Sequence, residues 1–332
     1  MQQRIEQAFS KFSQLNILII GDVMIDAYMW GKVNRISPEA PVPVISVTER
    51  ENRLGGAANV ALNIQALGAN PVMCALIGDD DKGQLFKELL TECQMTHEGI
   101  LTSVNRKTTV KTRVISGNQH LLRIDDEVTK PLDEAQEKEL LEHIDSLIGN
   151  YKFDAIIFED YDKGNITPVI IEAVVKKAKM HAIPTLVDPK KRNFSAYHGV
   201  TLFKPNFKEI CEGLKLEIPK GNFAALHQAA ETLRNKLQAE LIMVTLSELG
   251  VYVSDNGSYQ QIPAAIRDIA DVSGAGDTVI SVAACCLAVG LKPTEVAAIS
   301  NIAGGLVCEK VGVVPIDTNQ LIAEAINYFE KR

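Results

Sequence analysis

Apolar residues in this chain fall into two alternating patterns: short unbroken runs, and longer stretches with a helical period. Ile17, Leu18, Ile19 and Ile20, closed by Gly21, form a run without a polar break, as a strand buried on both faces does. Similar runs occupy 71–77, 154–158, 184–187 and 241–245. Helical periodicity covers roughly 56–67, 82–95, 133–149 and 166–181, and further helices are predicted near 275–289, 294–310 and 318–330. Strand and helix in alternation predict an α/β fold, a mostly parallel central sheet with helices on both faces. Two segments break the alternation. Residues 33–53 hold a β-like run at 41–47, and 107–125 read as a hairpin, with strands 108–115 and 121–124 around Ser116, Gly117 and Asn118. Together they predict a small separate sheet over one end of the main one; two surface hairpins are the plainer alternative. No repeat or long linker divides the chain, so one domain is expected over 1–332.

Composition narrows the function. With 332 residues and 46% hydrophobic content the chain can bury a large core. A formal net charge of −8 argues against a nucleic-acid partner. The six cysteines, at 74, 93, 211, 285, 286 and 308, show no Cys-x-x-Cys spacing, and the six histidines are scattered, so neither disulfides nor a zinc site is expected. Residues 1–15 lack the pattern of a signal peptide, and the apolar stretch at 279–291 is too short to span a bilayer. A cytoplasmic protein with no membrane partner is the expectation.

Candidate chemistry concentrates at Gly274, Ala275, Gly276 and Asp277, where a loop turns into an apolar helix. A helix start presents backbone N–H groups without internal partners and a partial positive charge, and glycines let a phosphate approach them. A carboxylate beside a bound anion makes most sense as a proton acceptor for a hydroxyl that attacks phosphorus. The plainer alternative is a capped buried helix. No Walker A loop competes for the phosphates, because Gly31 and Lys32 are followed by Val33. Residues 245–250, Thr245 to Gly250, follow a strand, where open α/β sheets bind ligands.

Asp271-Val272-Ser273-Gly274-Ala275-Gly276-Asp277 resembles the C-terminal signature of the PfkB/ribokinase family of small-molecule kinases. Leu54-Gly55-Gly56-Ala57-Ala58-Asn59-Val60-Ala61 is similar to its N-terminal glycine signature. The resemblance implies a ribokinase-like fold with a small β-sheet lid, formed here by about 33–53 and 107–125, that covers the sugar and pairs with a second subunit as a homodimer. It implies ATP and Mg²⁺, and leaves a monovalent cation open. Asn206 and Glu209 match the family's Asn-x-x-Glu motif, associated with Mg²⁺, directly or through water; a helix cap is their plainer role. Thr245, Ser247 and Gly250 lie on the turn that runs along the nucleotide phosphates, where the family usually has glycine in place of Ser247. Asp271 joins the nucleotide loop, and Asn301 resembles an adenine-side asparagine, with helix packing as its alternative. On the sugar side the resemblance implies Asp26 and then Asp22, placed at the end of the first strand, with Gly55, Gly56 and Asn59; turn capping is the alternative for the two aspartates.

A finer likeness runs along most of the chain. Residues 35–44, 111–113, 119–125, 159–164 and 188–190 resemble segments of bacterial heptose 7-phosphate kinases. The implied reaction is phosphorylation of the C1 hydroxyl of D-glycero-β-D-manno-heptose 7-phosphate by ATP, toward ADP-heptose and lipopolysaccharide. An acidic protein must offset the phosphate that such an acceptor carries, and Lys111, Arg113, Arg123, Lys163 and Lys190 are the candidate cations. Another sugar kinase, or a non-catalytic binding protein on the same fold, are the alternatives. Many relatives fuse this kinase to a nucleotidyltransferase; no His-x-Gly-His motif occurs here, so no adenylyltransferase domain is expected.

Overall fold

The computed structural model describes residues 2–117 and 119–331; Asn118 of the predicted turn lies outside them, as do Met1 and Arg332 of the expected 1–332 domain. From the N-terminus the chain forms α1 (Gln2–Ser10), β1 (Asn16–Gly21), β2 (Val23–Ile36), β3 (Pro43–Gly56) and α2 (Ala57–Ala66). Next come β4 (Asn70–Gly78), α3 (Asp81–Glu92), β5 (Ile100–Ser103), β6 (Val110–Ser116) and β7 (Gln119–Asp126). The middle holds α4 (Glu134–Asn150), β8 (Ala155–Glu159), α5 (Pro168–Met180), β9 (Thr185–Asp188) and β10 (Leu202–Phe203). Then follow α6 (Phe207–Leu214), α7 (Phe223–Leu237), β11 (Leu241–Thr245), β12 (Val251–Ser254) and β13 (Tyr259–Ile262). Three helices close the chain: α8 (Ala275–Ala288), α9 (Pro293–Cys308) and α10 (Thr318–Glu330).

Among the described residues, nine strands make one sheet in the order β13-β12-β11-β10-β9-β8-β1-β4-β5, parallel except for the hairpins at β12 and β13. The unbroken apolar run of β1 has its physical reason in this position. Ile17 and Ile19 enter the apolar layer under α1, α2, α8, α9 and α10, and Leu18 and Ile20 the layer under α4, α5, α6 and α7. No helix among the described residues is long and apolar enough to cross a membrane.

The remaining strands form a second sheet, β3-β2-β6-β7, with β2 and β6 parallel and the outer pairs antiparallel. It is larger than 33–53 and 107–125, because only Asp22 separates β1 from β2 and the chain stays extended from Val23 onward. Residues Ile25, Ala27, Leu54 and Val110 pack one face of it onto the main core. The opposite face carries Asp26, Tyr28 and Arg53, and Arg53 reaches Gly312, whose N–H is bonded to Asp271 ahead of α8.

Candidate active site

Parallel strands of the main sheet end together, each delivering a polar residue. β1 leads into Asp22, β8 closes on Glu159 before Asp160, β9 closes on Asp188, β10 leads into Lys204, and β11 closes on Thr245. This edge of an open α/β sheet is where ligands bind. Helix α8 starts against it. Gly274 is left-handed, at φ 78°, a conformation that glycine adopts without steric cost, and it swings the loop so that Ala275, Gly276 and Asp277 form the first turn. The Ala275 N–H turns back to the Val272 carbonyl at 3.3 Å. A Cβ on Gly276 would stand 3.4 Å from Asp188 Oδ2 and 3.6 Å from Lys204 Nζ, so bare backbone faces the strand ends.

Asp277 is buried, at 5% exposure. Its Oδ2 accepts from Asn59 Nδ2 at 2.5 Å, and its Oδ1 accepts from the Tyr161 hydroxyl at 2.8 Å. Burial raises its carboxyl, the two hydrogen bonds pull it back, and the balance leaves it pushed up to about 6. A carboxylate that titrates there is poised to take a proton near neutral pH. Around it, Glu159, Asp188 and Asp277 each bring an oxygen within 4.8 Å of the others. Burial and then the charges of Asp188 and Asp277 push Glu159 well above the carboxylate range, and its Oε2 is buried with no hydrogen-bond partner among the described residues. Lys204, 2% exposed, offsets this cluster 2.7 Å from Asp188 Oδ2, with Lys190 on the other oxygen at 4.0 Å.

Asp22 is fully buried, and its carboxylate accepts the N–H groups of Tyr161 and Lys163, both at 2.9 Å, and of Asn165 at 3.0 Å. Three of its roughly four acceptor sites are thus spent on shaping the loop that carries Tyr161. The turn-capping alternative describes Asp22. The expected position of Asp26 at the end of the first strand is corrected: it lies inside β2 on the small sheet, 2.5 Å from Arg113 Nη1, because β2 begins right after Asp22. Gly55, opposite Met24, is required there, since a Cβ would collide with the Asp26 carboxylate. Gly56 precedes α2, whose first turn supplies Asn59.

On the nucleotide side, Asn206 and Glu209 form a capping box on α6, each side chain accepting the other's N–H at 2.8 Å. Glu209 also takes Lys190 Nζ at 2.8 Å, so cap and charge cluster are continuous. Asn206 is bridged to Thr245. Ser247 has φ 54°, the left-handed region that favours glycine, and Gly250 follows at φ 89°. Asp271 accepts from the N–H groups of Ser273 at 3.0 Å and Gly312 at 3.1 Å, and Asn301 donates to the Pro263 carbonyl at 3.0 Å. The five candidate cations do not form one set. Lys190 sits at the strand ends, whereas Lys111, Arg113, Arg123 and Lys163 line the small sheet and its neighbouring loop, each on a carboxylate.

Sequence reasoning missed Glu159, Tyr161, Asp188 and Lys204 as site residues. The available signal was a charged residue directly after an apolar strand run, at 159, 188 and 204. Nothing local marked the Tyr161 hydroxyl, whose partner is 116 residues away.

The chain matches the sequence model of the pfkB family of carbohydrate kinases over residues 14–319. It is 38% identical over 322 residues to a protein of Pelobacter propionicus named bifunctional protein HldE, covering 97% of this chain and 65% of that one. A protein of the same name from Wolinella succinogenes is 40% identical over 296 residues, covering 89% and 61%. The chain therefore spans less than two thirds of the length of these relatives. Among solved structures, Escherichia coli phosphofructokinase-2 superposes with a TM-score of 0.74 at 18% identity, covering 94% of this chain and 99% of that one. Arabidopsis thaliana ribokinase, solved with ribose and ATP, gives 0.70 at 17%, covering 93% and 98%. At these identities the likeness is one of fold, and the fold is ribokinase-like.

Proposed function

The chain belongs to the pfkB family of carbohydrate kinases, phosphotransferases acting on sugar hydroxyls, and from that premise we propose that its acceptor is D-glycero-β-D-manno-heptose 7-phosphate. ATP's γ-phosphoryl passes to the C1 hydroxyl, giving the 1,7-bisphosphate for ADP-heptose and lipopolysaccharide synthesis in the cytoplasm. The observation that carries the chemistry is the buried Asp277 carboxylate in the first turn of α8, held by Asn59 and Tyr161. Asp277 takes the hydroxyl proton as the sugar oxygen bonds to phosphorus and the bond to ADP breaks. Backbone N–H groups at the start of α8 stabilise the charge on the transferred group. The sugar identity is supported by 38% identity to an HldE protein across 97% of this chain and by the segments of heptose 7-phosphate kinase character.

The donor set suits Mg²⁺: hard carboxylate oxygens in a close group, one of them buried without a partner. Asp188 and Glu159 would hold the ion together with Glu209 and its cap partner Asn206, directly or through water. An ion held there would supply charge neutralisation for the phosphates. Thr245, Ser247, Gly250, Asp271 and Asn301 border the nucleotide, and Asp26 and Asn59 the sugar.

Incubation with ATP, Mg²⁺ and a panel of sugars and sugar phosphates tests the reading, with NMR locating the new phosphate. The expected product is the 1,7-bisphosphate; preferential turnover of a neutral sugar would overturn the heptose assignment. A homodimer through the small sheet belongs to the same proposal. Its supporting observation is that Ile36, Val42, Leu122 and Ile124 remain more than 45% exposed on β2, β7 and the adjoining loop. Light scattering should return twice 36.3 kDa; a monomer mass at micromolar concentration would remove the dimer.

A further inference from the structure

The face of the small sheet opposite the one packed on the main core carries two cross-strand rows. One is Arg53, Asp26, Lys111 and Asp125; the next is Glu51, Tyr28, Arg113 and Arg123. These cations differ in what they have left to give. Lys111 and Lys163 share Glu127 at 3.0 and 2.8 Å, Lys111 also reaches Asp125 at 3.3 Å, and both ammonium side chains are only 15% exposed. Arg123 has both halves of its fork on Asp125, at 2.9 and 3.0 Å, and stands mostly in solvent.

Arg53 and Arg113 are different. Their guanidinium carbons lie 4.9 and 5.3 Å from the centre of the Tyr28 ring, which is itself stacked on Trp30. An aromatic face holds a guanidinium plane in place while its edge donors stay available. Arg113 gives one Nη to Asp26, and among the described residues its Nε and other Nη have no hydrogen bond. Arg53 uses Nε and Nη2 on Glu51, two residues away on the same strand in a half-exposed pair, and its Nη1 has no partner among the described residues. That pair is of the kind that yields to a stronger anion. Arg53 Nη1 also lies 3.4 Å from where a Cβ on Gly312 would be, and the Gly312 N–H is bonded to Asp271 of the α8 loop. Arg53 therefore stands beside the loop that leads into α8, and Arg113 is joined to it through the Tyr28 ring.

We propose that Arg53 and Arg113, splayed over Tyr28, form the cradle for the phosphate that the acceptor sugar already carries, while Lys111 and Lys163 tie β6 and the 161–163 loop to Glu127 and Arg123 stays paired with its strand neighbour Asp125. This rests on the reading that the acceptor is a sugar phosphate. Arg113 has a second effect, orienting the Asp26 carboxylate toward the sugar hydroxyls. A phosphate dianion displaces Glu51 from Arg53 and takes the free edge of Arg113, two forks meeting one tetrahedral anion.

The test uses the full chain with ATP, Mg²⁺ and the sugar phosphate it turns over best. Arg53→Gln should raise KM for that acceptor roughly ten- to a hundred-fold, the scale of lost charged hydrogen bonds, with kcat and KM for ATP nearly unchanged. Arg113→Lys, which preserves a cation for Asp26, should raise it less. Lys138→Gln, the same charge loss on the exposed side of α4 away from the small sheet, is the control and should change nothing. An unchanged KM in Arg53→Gln, or an equal rise in Lys138→Gln, overturns the cradle while leaving the kinase reading intact. If a sugar phosphate other than the heptose is the substrate and Arg53→Gln still raises its KM, the cradle stands and the heptose assignment falls. If the unaltered protein accepts only neutral sugars, both fall.

Discussion

Asp277→Asn should lose roughly 10²–10⁴-fold in kcat and yet melt no lower than the parent at pH 7. The two halves have one cause. Burial holds this carboxyl at about 6 in the folded protein, above its ordinary value near 3.9 in the unfolded chain, so ionising it at neutral pH works against folding. The stability that the protonated form contributes is fully present below about pH 4 and is lost as pH rises through about 6. At pH 7 the cost is about 3 kcal/mol, at 1.36 kcal/mol per pKa unit. Asparagine keeps the shape and carries no charge, so it escapes that cost but cannot accept the hydroxyl proton. ATP binding should persist, because the α8 amides remain. In the parent, kcat should fall on the acid side with an apparent pKa near 6, the value at which Asp277 takes up its proton. Calorimetric melts, a nucleotide titration and a pH–rate profile check the three parts. Near-normal turnover in the variant would remove Asp277 as the base, and a large loss of stability would mean that its charge supports the fold.

The largest effect on stability is expected from Lys204→Met. Its ammonium is 2.7 Å from Asp188 in a place with almost no solvent, and Glu159 and Asp277 lie in the same group. Removing one partner of a buried pair leaves an uncompensated charge, at a cost of about 3–5 kcal/mol. For a chain of this length that lowers the melting temperature by on the order of 5 °C. The pH dependence identifies the cause. Lys204 holds Glu159 and Asp277 down, so without it these two carboxyls titrate higher still in the folded state and favour folding when protonated, and the deficit should shrink as pH falls from 7 toward 5. A deficit that stays constant with pH would point to lost packing of the lysine stem instead.

Much of this architecture is legible in the sequence because its physics is local. Apolar runs such as 17–21 can only be strands covered on both faces, and α8 follows from the apolar stretch after Asp277. The short strand β10 escaped because two residues, Leu202 and Phe203, carry no period. β12 and β13 escaped because their polar and apolar residues do not mark one face from context alone. Helix α7 was missed although its apolar spacing is regular, at Leu226, Ala229, Ala230 and Leu233. Within the site, the base and its glycines were visible because a helix start has a chemical signature. Asp22 was not distinguishable from a sugar ligand, since nothing near it shows that residues 161, 163 and 165 would fold back on its oxygens. Nor does sequence separate Arg53, with a free donor edge, from Lys111, which Asp125 and Glu127 at the end of β7 enclose.

Asn59 and Asp277, joined by one hydrogen bond, are 218 residues apart, and Asn63 on the same helix also receives the Ile316 N–H from 253 residues away. Contacts of such separation close late, because the loop entropy must be met before they form. During synthesis β1, β2, β3 and α2 are complete long before α8 leaves the ribosome. The growing chain can therefore assemble most of a sugar-facing surface while it has no means of acting on anything bound there. The catalytic carboxylate therefore meets its asparagine only across the span from the first fifth of the chain to the last, and that contact cannot form before α8 has been made.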